Sequence, residues 1–462
     1  MKTSSSALGN LGLGEDRLAD VTVYSAKLVI PVTAPVIVNG AVAVSGDRVV
    51  HVGTRAWVLQ ELKEEAPGGK VTERYWDGIL MPGLVNAHTH LQYTGMAEVG
   101  QGEYKDFHAW EEAFNLIYDD ESLPHAWRHW AMEGARQCVE SGTTAAADIV
   151  TDLDAAAGMV SQGMHGITYW EVMGWGNEDW DDRGRYRLNL ELHRLEEEHV
   201  RQLGISPHAP YTLEAEPFVD LPDIARRLNM RLHIHLAETP LEARTEAPES
   251  ERAISSAIRG DETWTSYREY KREGQGLSAI QFVDQLGSLG PDVHIAHGVW
   301  ADEEDRRTLR QRQVSVALCP RSNRITNTGK DAPVSRYLKE GNALCVGTDS
   351  LSSSPSLDLM DEAAALYRLA RQQGYGGRDL PRRLIHMLTL NGASAMGLHL
   401  AANRIGQINA GSLADLAFMD IPVRTENADA IDRTLEELVA SGGGHNRATL
   451  ISGRVAYNAG IF

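Results

Sequence analysis

Cysteine is scarce in this chain. Cys138, Cys319 and Cys345 are the only three among 462 residues. They are odd in number and widely spaced, so they make no disulfide framework. None stands in a C-x-x-C pair, which argues against a structural zinc site. A reducing, cytoplasmic setting is expected, with Cys319 and Cys345 as small buried hydrophobes in apolar strands. Long apolar runs are also missing. No stretch of 18 hydrophobic residues occurs, so no transmembrane helix is expected. Positive charge is in short supply, with 44 Lys and Arg against 64 Asp and Glu and a net charge of -20. Such a surface repels phosphate backbones and anionic headgroups, which argues against nucleic-acid and membrane partners. No Gly-x-Gly-x-x-Gly opens a helix after a strand, so a Rossmann nucleotide site has no support. Residues 1–16 are rich in Ser and Gly and lack a continuous hydrophobic segment after Lys2. They read as a short disordered lead rather than a secretory signal.

What is present is a long chain with β-rich ends and an alternating middle. From Val21 to Val52, short runs of β-formers are separated by turns such as Val38-Asn39-Gly40 and Ser45-Gly46-Asp47. The same style returns at Asp415–Asp420 and Ala448–Ala456. Between these lie a polar stretch, Ile421–Ala428, and a Ser441–Gly444 spacer read as flexible. One small β-sandwich domain built from residues 17–79 plus 400–462 is expected. Residues 80–399 alternate strand-like and helix-like runs. Eight strand candidates are Leu80–His90, Thr143–Val150, Gly166–Met173, Gly204–Tyr211, Arg231–Glu238, Val293–Val299, Val314–Pro320 and Ala343–Asp349. Helices are expected over Leu123–Glu140, Leu188–Val200, Pro217–Leu228, Asp302–Arg312 and Leu357–Gln373. Eight β/α units predict an α/β fold of the (β/α)8 TIM-barrel type.

The strand ends carry the chemistry. Pro82-Gly83-Leu84-Val85-Asn86-Ala87-His88-Thr89-His90 delivers two histidines two residues apart. In a strand, i and i+2 share a face, so both imidazoles aim at one point. Two of the 17 histidines in this position are by themselves weak evidence for a metal. The fifth strand ends in His233-Ile234-His235-Leu236-Ala237-Glu238, the sixth in His294-Ile295-Ala296-His297-Gly298, the eighth in Gly347-Thr348-Asp349-Ser350. The fourth ends in Ser206-Pro207-His208-Ala209-Pro210. A barrel gathers the C-terminal ends of its strands around one mouth. Histidine and carboxylate recurring there point to a metal site.

This order of motifs resembles the amidohydrolase superfamily, and within it the branch of adenosine-type, guanine and cytosine deaminases and chlorohydrolases. The resemblance covers about residues 20–460 and rests on Pro-Gly-Leu-Val-Asn-Ala-His-Thr-His, His-Leu-Ala-Glu-Thr, Ala-His-Gly and Gly-Thr-Asp-Ser. It implies His88, His90, His235 and Asp349 as ligands of one divalent metal ion, Zn2+ in the first place, with Fe2+ or Mn2+ compatible with the same donors. His233 competes with His235 by position. The resemblance favours His235, because Glu238 follows it by three residues. Binuclear relatives bridge two metals with a modified lysine on the fourth strand. That strand end offers His208 and no Lys here, so one metal is expected. The resemblance also implies roles around a metal-activated water. Asp349 takes its proton, Glu238 protonates a ring nitrogen, and His297 hydrogen-bonds the attacking oxygen. The bland reading of Glu238 is an acid placed at a helix N-terminus.

For the substrate side, His208 resembles the substrate-binding histidine of adenosine-type deaminases. The segment Tyr104–Tyr118, with Phe107, Trp110, Glu111 and Phe114, is expected to cover the mouth, Trp110 stacking on a base. An ordinary amphipathic helix is the alternative. Arg321, in Cys319-Pro320-Arg321-Ser322-Asn323, is expected either to face the mouth and read a substrate carboxylate or to form a salt bridge with a loop acid. The motifs together are most similar to bacterial aminodeoxyfutalosine deaminases of menaquinone biosynthesis, whose substrate is an adenine nucleoside bearing a carboxyphenyl ketone. Other readings are a guanine, other aminopurine or S-adenosylhomocysteine-type deaminase, or a triazine hydrolase. A non-catalytic barrel used for binding is the reading from outside enzymology, and the presence of Glu238 and Asp349 counts against it. A small-molecule substrate is expected throughout, and a homo-oligomer is compatible with the sequence. The segment 175–187, rich in Asp and Arg, has no role readable from the sequence.

Overall fold

The computed structural model describes residues 20–65, 67–120, 126–198, 200–244 and 277–462. The expected lead, residues 1–16, lies outside them. The chain opens with β1 (Asp20–Val29), β2 (Ile37–Ser45), β3 (Arg48–Thr54) and β4 (Lys70–Pro82). Eight strands follow: β5 (Leu84–Thr89), β6 (Thr143–Val150), β7 (His165–Val172), β8 (Leu203–Pro207), β9 (Arg231–Leu236), β10 (Val293–His297), β11 (Ser315–Leu318) and β12 (Leu344–Val346). The chain closes with β13 (Leu416–Met419), β14 (Asn446–Ile451) and β15 (Arg454–Asn458).

β5 to β12 form one parallel sheet in chain order. Its last strand returns to its first. Asp349 N donates to His88 O at 3.0 Å, and Asn86 Nδ2 donates to Thr348 Oγ1 at 2.7 Å. The sheet is thus a nearly closed barrel, as the eight β/α units imply. Its interior is lined in part by small residues, including Ala87, Ala317 and Cys345, which are fully buried. All three cysteines are free thiols in the core. Helices seal the outside with apolar stripes. In the helix Leu359–Gln372, Leu359, Met360, Ala363, Leu366 and Ala370 are buried at helical spacing. Its Asp358 N-cap accepts from Met360 N.

The terminal strands form one seven-stranded mixed sheet, ordered β15-β14-β13-β4-β1-β2-β3. Where two stacked layers were expected, a single hydrogen-bonded sheet joins both ends of the chain. Tyr24, Val29, Val42, Val49, Leu416, Phe418 and Leu450 from across this sheet bury into one cluster. A bridge from Arg48 to Leu413 draws the far edge in. The run Leu80–His90, read as one strand, is divided. Leu80–Pro82 pairs with β13, and Leu84 begins the barrel. The break falls at Gly83, where any Cβ would lie 2.2 Å from Thr144 Oγ1. A helix, Ala428–Ser441, fills the interval between the polar stretch and the glycine spacer, and it lies against Leu359–Gln372. No helix among the described residues is long and apolar enough to cross a membrane.

Candidate active site

Side chains from six strand ends meet at one mouth of the barrel. β5 presents His88 and His90, whose ring centroids lie 5.1 Å apart. β9 presents His235, with Nε2 3.3 Å from His90 Nε2. The segment after β12 presents Asp349, with Oδ1 3.6 Å from His88 Nε2 and 3.9 Å from His90 Nε2. Ala237, His297 and Asp349 each follow or end a barrel strand with positive φ, at 54°, 73° and 59°. Non-glycine residues hold that conformation only where their surroundings over-determine it. Here the turns are held by bonds such as Gly298 N to Leu236 O and Asp349 N to His88 O.

The electrostatics suit a cation. Burial pushes the His90 imidazole down to about 3, with the charge of His88 acting the same way. Burial also holds His88 and His235 below the ordinary histidine range. These rings are therefore neutral and carry lone pairs at neutral pH. Burial alone would raise Asp349, but the imidazoles that face it, His88 first and then His90 and His297, outweigh burial and keep the carboxylate ionised. His88 Nε2 is buried with no hydrogen-bond partner. One ligand-type atom from each of His88, His90 and His235 lies within 4.8 Å of the others, and so do those of His88, His297 and Asp349. Three neutral imidazoles and one ionised carboxylate around an orphaned buried nitrogen fit a Zn2+-type ion.

His233, the alternative to His235, sits behind the cluster. Its Nε2 is 3.1 Å from His88 Nδ1, so it backs His88. Glu238 is buried and its carboxyl is raised well above the usual range, by burial first and then by the charge of Asp349. Its Oε1 is 3.6 Å from His297 Nε2. His297 Nδ1 lies 2.9 Å from Asn323 Oδ1, the partner that accepts a hydrogen from Nδ1 and leaves Nε2 facing the site. His208 follows β8. Its ring is 4.8 Å from that of His235, its Nδ1 pairs with Thr212 Oγ1 at 2.9 Å, and burial pushes it down to about 3.

The segment after β5 covers this mouth. Tyr93 stacks on His90 with centroids 5.4 Å apart. The helix Phe107–Tyr118 adds Trp110 and Phe114 to an aromatic cluster with Tyr93, Tyr118, Trp127 and Trp130. Trp110 donates its indole N–H to Ser352 O at 2.8 Å, and Asn327 Nδ2 donates to Lys105 O at 2.7 Å. The cover is thereby tied to the loops after β12 and β11. With its N–H committed, Trp110 has only ring surface left for a ligand. Glu111 on the same helix is buried, its Oε2 3.6 Å from His108 Nδ1 and without a hydrogen bond, and burial followed by the charge of Glu112 pushes it up to about 8.

Arg321 requires a correction. It does not point into the mouth. Nε donates to Glu362 Oε1 at 2.6 Å, Nη1 to Asp361 Oδ2 at 3.0 Å, and Nη2 to Ser356 O at 2.7 Å. The guanidinium is fully engaged with the helix Leu359–Gln372 and the turn before it. In the short helix Pro320–Ile325, successive side chains point in different directions. The neighbours of Arg321 are the ones that reach the site. Ser322 Oγ donates to Asp349 Oδ2 at 2.7 Å, and Asn323 meets His297. Sequence reasoning stopped at the charged residue of that motif and passed over the two polar ones beside it. It also passed over Glu242, which accepts from the N–H groups of Ala237, Glu238 and Thr239 at 2.7, 2.8 and 2.9 Å. Glu242 lies three residues beyond the motif His-Leu-Ala-Glu-Thr and clamps the turn that aims Glu238. Segment 175–187 is structural. Trp180 is fully buried and donates to Asp220 Oδ2 at 2.8 Å, joining this segment to the helix Ala215–Arg227.

Among relatives, the chain is 29% identical over 408 residues to a 5-methylthioadenosine/S-adenosylhomocysteine deaminase of Moorella thermoacetica, covering 85% of this chain and 84% of the relative. Among solved structures, it is similar to an adenosine deaminase from Xanthomonas campestris with bound zinc, at TM-score 0.75 and 22% identity, covering 95% and 93% of the two chains. It is also similar to the Helicobacter pylori aminofutalosine deaminase, at TM-score 0.74 and 18% identity, covering 94% and 99%. At these identities the solved structures speak for the fold. The family assignment rests on a match that runs from residue 79 to residue 455, through every strand end described above: the chain belongs to the Amidohydrolase family.

Proposed function

We propose that this protein is a metal-dependent hydrolytic deaminase of an adenine nucleoside, with His88, His90, His235 and Asp349 holding one divalent ion. When bound, such an ion supplies Lewis acidity and a water nucleophilic near neutral pH. The chain's residues do the rest. Asp349 Oδ1 lies among the imidazoles and is ionised, so it can take the water proton. Glu238 is held protonated, so it can give a proton to the ring nitrogen next to the carbon under attack. His297 Nε2, facing Glu238, is placed to hydrogen-bond the oxygen as it adds. Expulsion of ammonia restores the ring and leaves a carbonyl where the amino group stood. The observation that carries this reading is geometric: Asp349 Oδ1 lies 3.6 Å from His88 Nε2 and 3.9 Å from His90 Nε2, and Glu238 Oε1 lies 3.6 Å from His297 Nε2, so two buried carboxyl groups flank one histidine cluster. That is the acid–base pair a hydrolytic deamination needs.

The adenine preference is supported by the deaminase relatives and by His208 beside His235. Within that class, 6-amino-6-deoxyfutalosine is the proposed substrate, on the motif resemblance and the similarity of fold to the Helicobacter pylori enzyme. Arg321 does not supply its carboxylate partner. The test is ammonia release by metal-loaded protein across 6-amino-6-deoxyfutalosine, 5'-deoxyadenosine, methylthioadenosine, S-adenosylhomocysteine, adenosine, guanine and cytosine. Turnover confined to the adenine nucleosides is expected. Turnover of guanine or cytosine alone, or of none, overturns the reading.

A further inference from the structure

We propose that Glu171 is a positioning residue for the metal centre: its carboxyl group takes the Nδ1 side of His235 and thereby presents the Nε2 lone pair of that ring to the ion. This rests on the metal centre proposed above. Glu171 lies next to the C-terminal end of β7, a barrel strand that contributes nothing else to the mouth in the scheme so far. It is the one acidic residue in an otherwise apolar run, Tyr169-Trp170-Glu171-Val172. Its Oε1 stands 3.6 Å from His235 Nδ1. Both atoms are buried, and neither has a hydrogen-bond partner. Two orphaned buried groups that face each other are each costly alone and compatible together.

The two nitrogens of His235 divide the work. Nε2 is 3.3 Å from His90 Nε2, among the other donors. Nδ1 faces away, toward β7. A hydrogen on Nδ1 fixes the tautomer and leaves Nε2 as the donor to a metal. The same plan holds for His88, whose Nδ1 is backed by His233 Nε2 at 3.1 Å while Nε2 faces Asp349. A ligand-type atom of His208 also lies within 4.8 Å of Glu171 and His235. A second ion on those three would need His235 Nδ1 as its donor, and the pairing of His208 Nδ1 with Thr212 would leave that ring only Nε2. A buried carboxyl behind a ligand imidazole explains the same distances with one proton and no second ion. It also raises the basicity of the ligand nitrogen.

The experiment uses the full chain with Glu171→Gln and Glu171→Ala. Zn2+ affinity is read by competition with a chromophoric chelator, and the site is probed by the visible spectrum of the Co2+ form. Glu171→Ala is expected to weaken Zn2+ binding about 10- to 100-fold. Glu171→Gln, which keeps shape and an acceptor oxygen, is expected to lose less affinity and to shift the Co2+ bands. Because Gln is isosteric, it decides the matter should the Ala variant fail to fold. Affinity within about twofold of the unmodified chain, with an unchanged Co2+ spectrum, overturns the positioning role. His88→Ala separates the two hypotheses. If it binds Zn2+ as tightly as the unmodified chain, the metal centre itself is wrong. If it loses the metal while the Glu171 variants keep it, only the role of Glu171 falls.

Discussion

Two carboxyl groups beside one histidine cluster are pushed in opposite directions. Asp349 sits among imidazoles, receives a hydrogen bond from Ser322 and is ionised. Glu238 is raised by burial and then by the charge of Asp349, which favours its protonated form. Glu238→Gln preserves size and neutrality but cannot deliver a proton. It is expected to retain the metal, measured by elemental analysis, and to lose about 10²–10⁴ in turnover. Near-normal turnover would reduce Glu238 to a turn residue. His88→Ala is expected to lose both metal and activity, because it removes one of the four proposed donors. Arg321 belongs to a different category. Its partner Glu362 is fully buried, so removing the guanidinium leaves a buried carboxyl without its cation. Arg321→Met is expected to destabilise the fold by about 3–5 kcal/mol in denaturant melts. It should lower kcat/KM alike for a carboxylate-bearing nucleoside and for plain adenosine. A loss confined to the carboxylate-bearing substrate would return Arg321 to substrate recognition.

Elements, rather than isolated residues, set the access to this site. The helix Phe107–Tyr118 is tied down by the Trp110 N–H to Ser352 O and by Asn327 to the backbone of Tyr104 and Lys105. Trp110→Phe keeps an aromatic face and removes the first tie, worth about 0.5–1.5 kcal/mol. A several-fold rise in KM with a smaller change in kcat is expected, together with faster amide exchange over residues 107–118. Unchanged exchange there would show that the cover does not depend on this bond. The strand ends that build the mouth were legible because the chemistry follows a period of two and a fixed place in each β/α unit. That rule brings the ends carrying His88 with His90, His233 with His235, and Asp349 to one mouth, while the choice of His235 over His233 came from the family resemblance. The break at Gly83 was not legible, since Leu80–His90 is apolar throughout and only the competing partner β13 divides it. The helix Ala428–Ser441 was hidden between a polar stretch and glycines. Its buried face, Ala430, Thr434, Leu435, Leu438 and Val439, is completed by a neighbour some 70 residues earlier in the chain. The direction of Arg321 depended on Asp361 and Glu362, 40 and 41 residues away, which no local pattern reveals.

Over the whole molecule, the price of building a polar mouth inside a barrel is a set of buried groups that must stay uncharged. They give the metal-free protein a stability that depends on pH from both sides. His90, His208 and His294 are pushed down to about 3, in each case chiefly by burial. The unfolded chain binds protons on such histidines below about pH 6.5 and the native state does not, so acid favours unfolding there. Asp148 and Glu111 shift the other way. Burial pushes Asp148 up to about 8 against the opposing hydrogen bond from Leu91 N, and Glu111 also rises to about 8. Their native pKa exceeds the unfolded one, so the native state holds protons that the unfolded chain has released. That contribution is complete below the unfolded carboxyl range and is lost as pH rises toward about 8. Above about pH 7.5 the histidines no longer titrate in either state, and the raised carboxyl groups act. The apo protein is therefore expected to lose stability on going from pH 7.5 to 8.5, by about 0.5–1 kcal/mol for each such carboxyl, read as a falling urea midpoint. Asp148→Asn isolates one of them. The amide keeps an oxygen for the N–H of Leu91, which the carboxylate Oδ1 meets at 3.0 Å, and it does not titrate. The variant should fold and should show a smaller drop over the same pH interval. An identical drop would mean that Asp148 is ionised in the native state, and that the first turn after β5 is held by a charge rather than by a neutral acid.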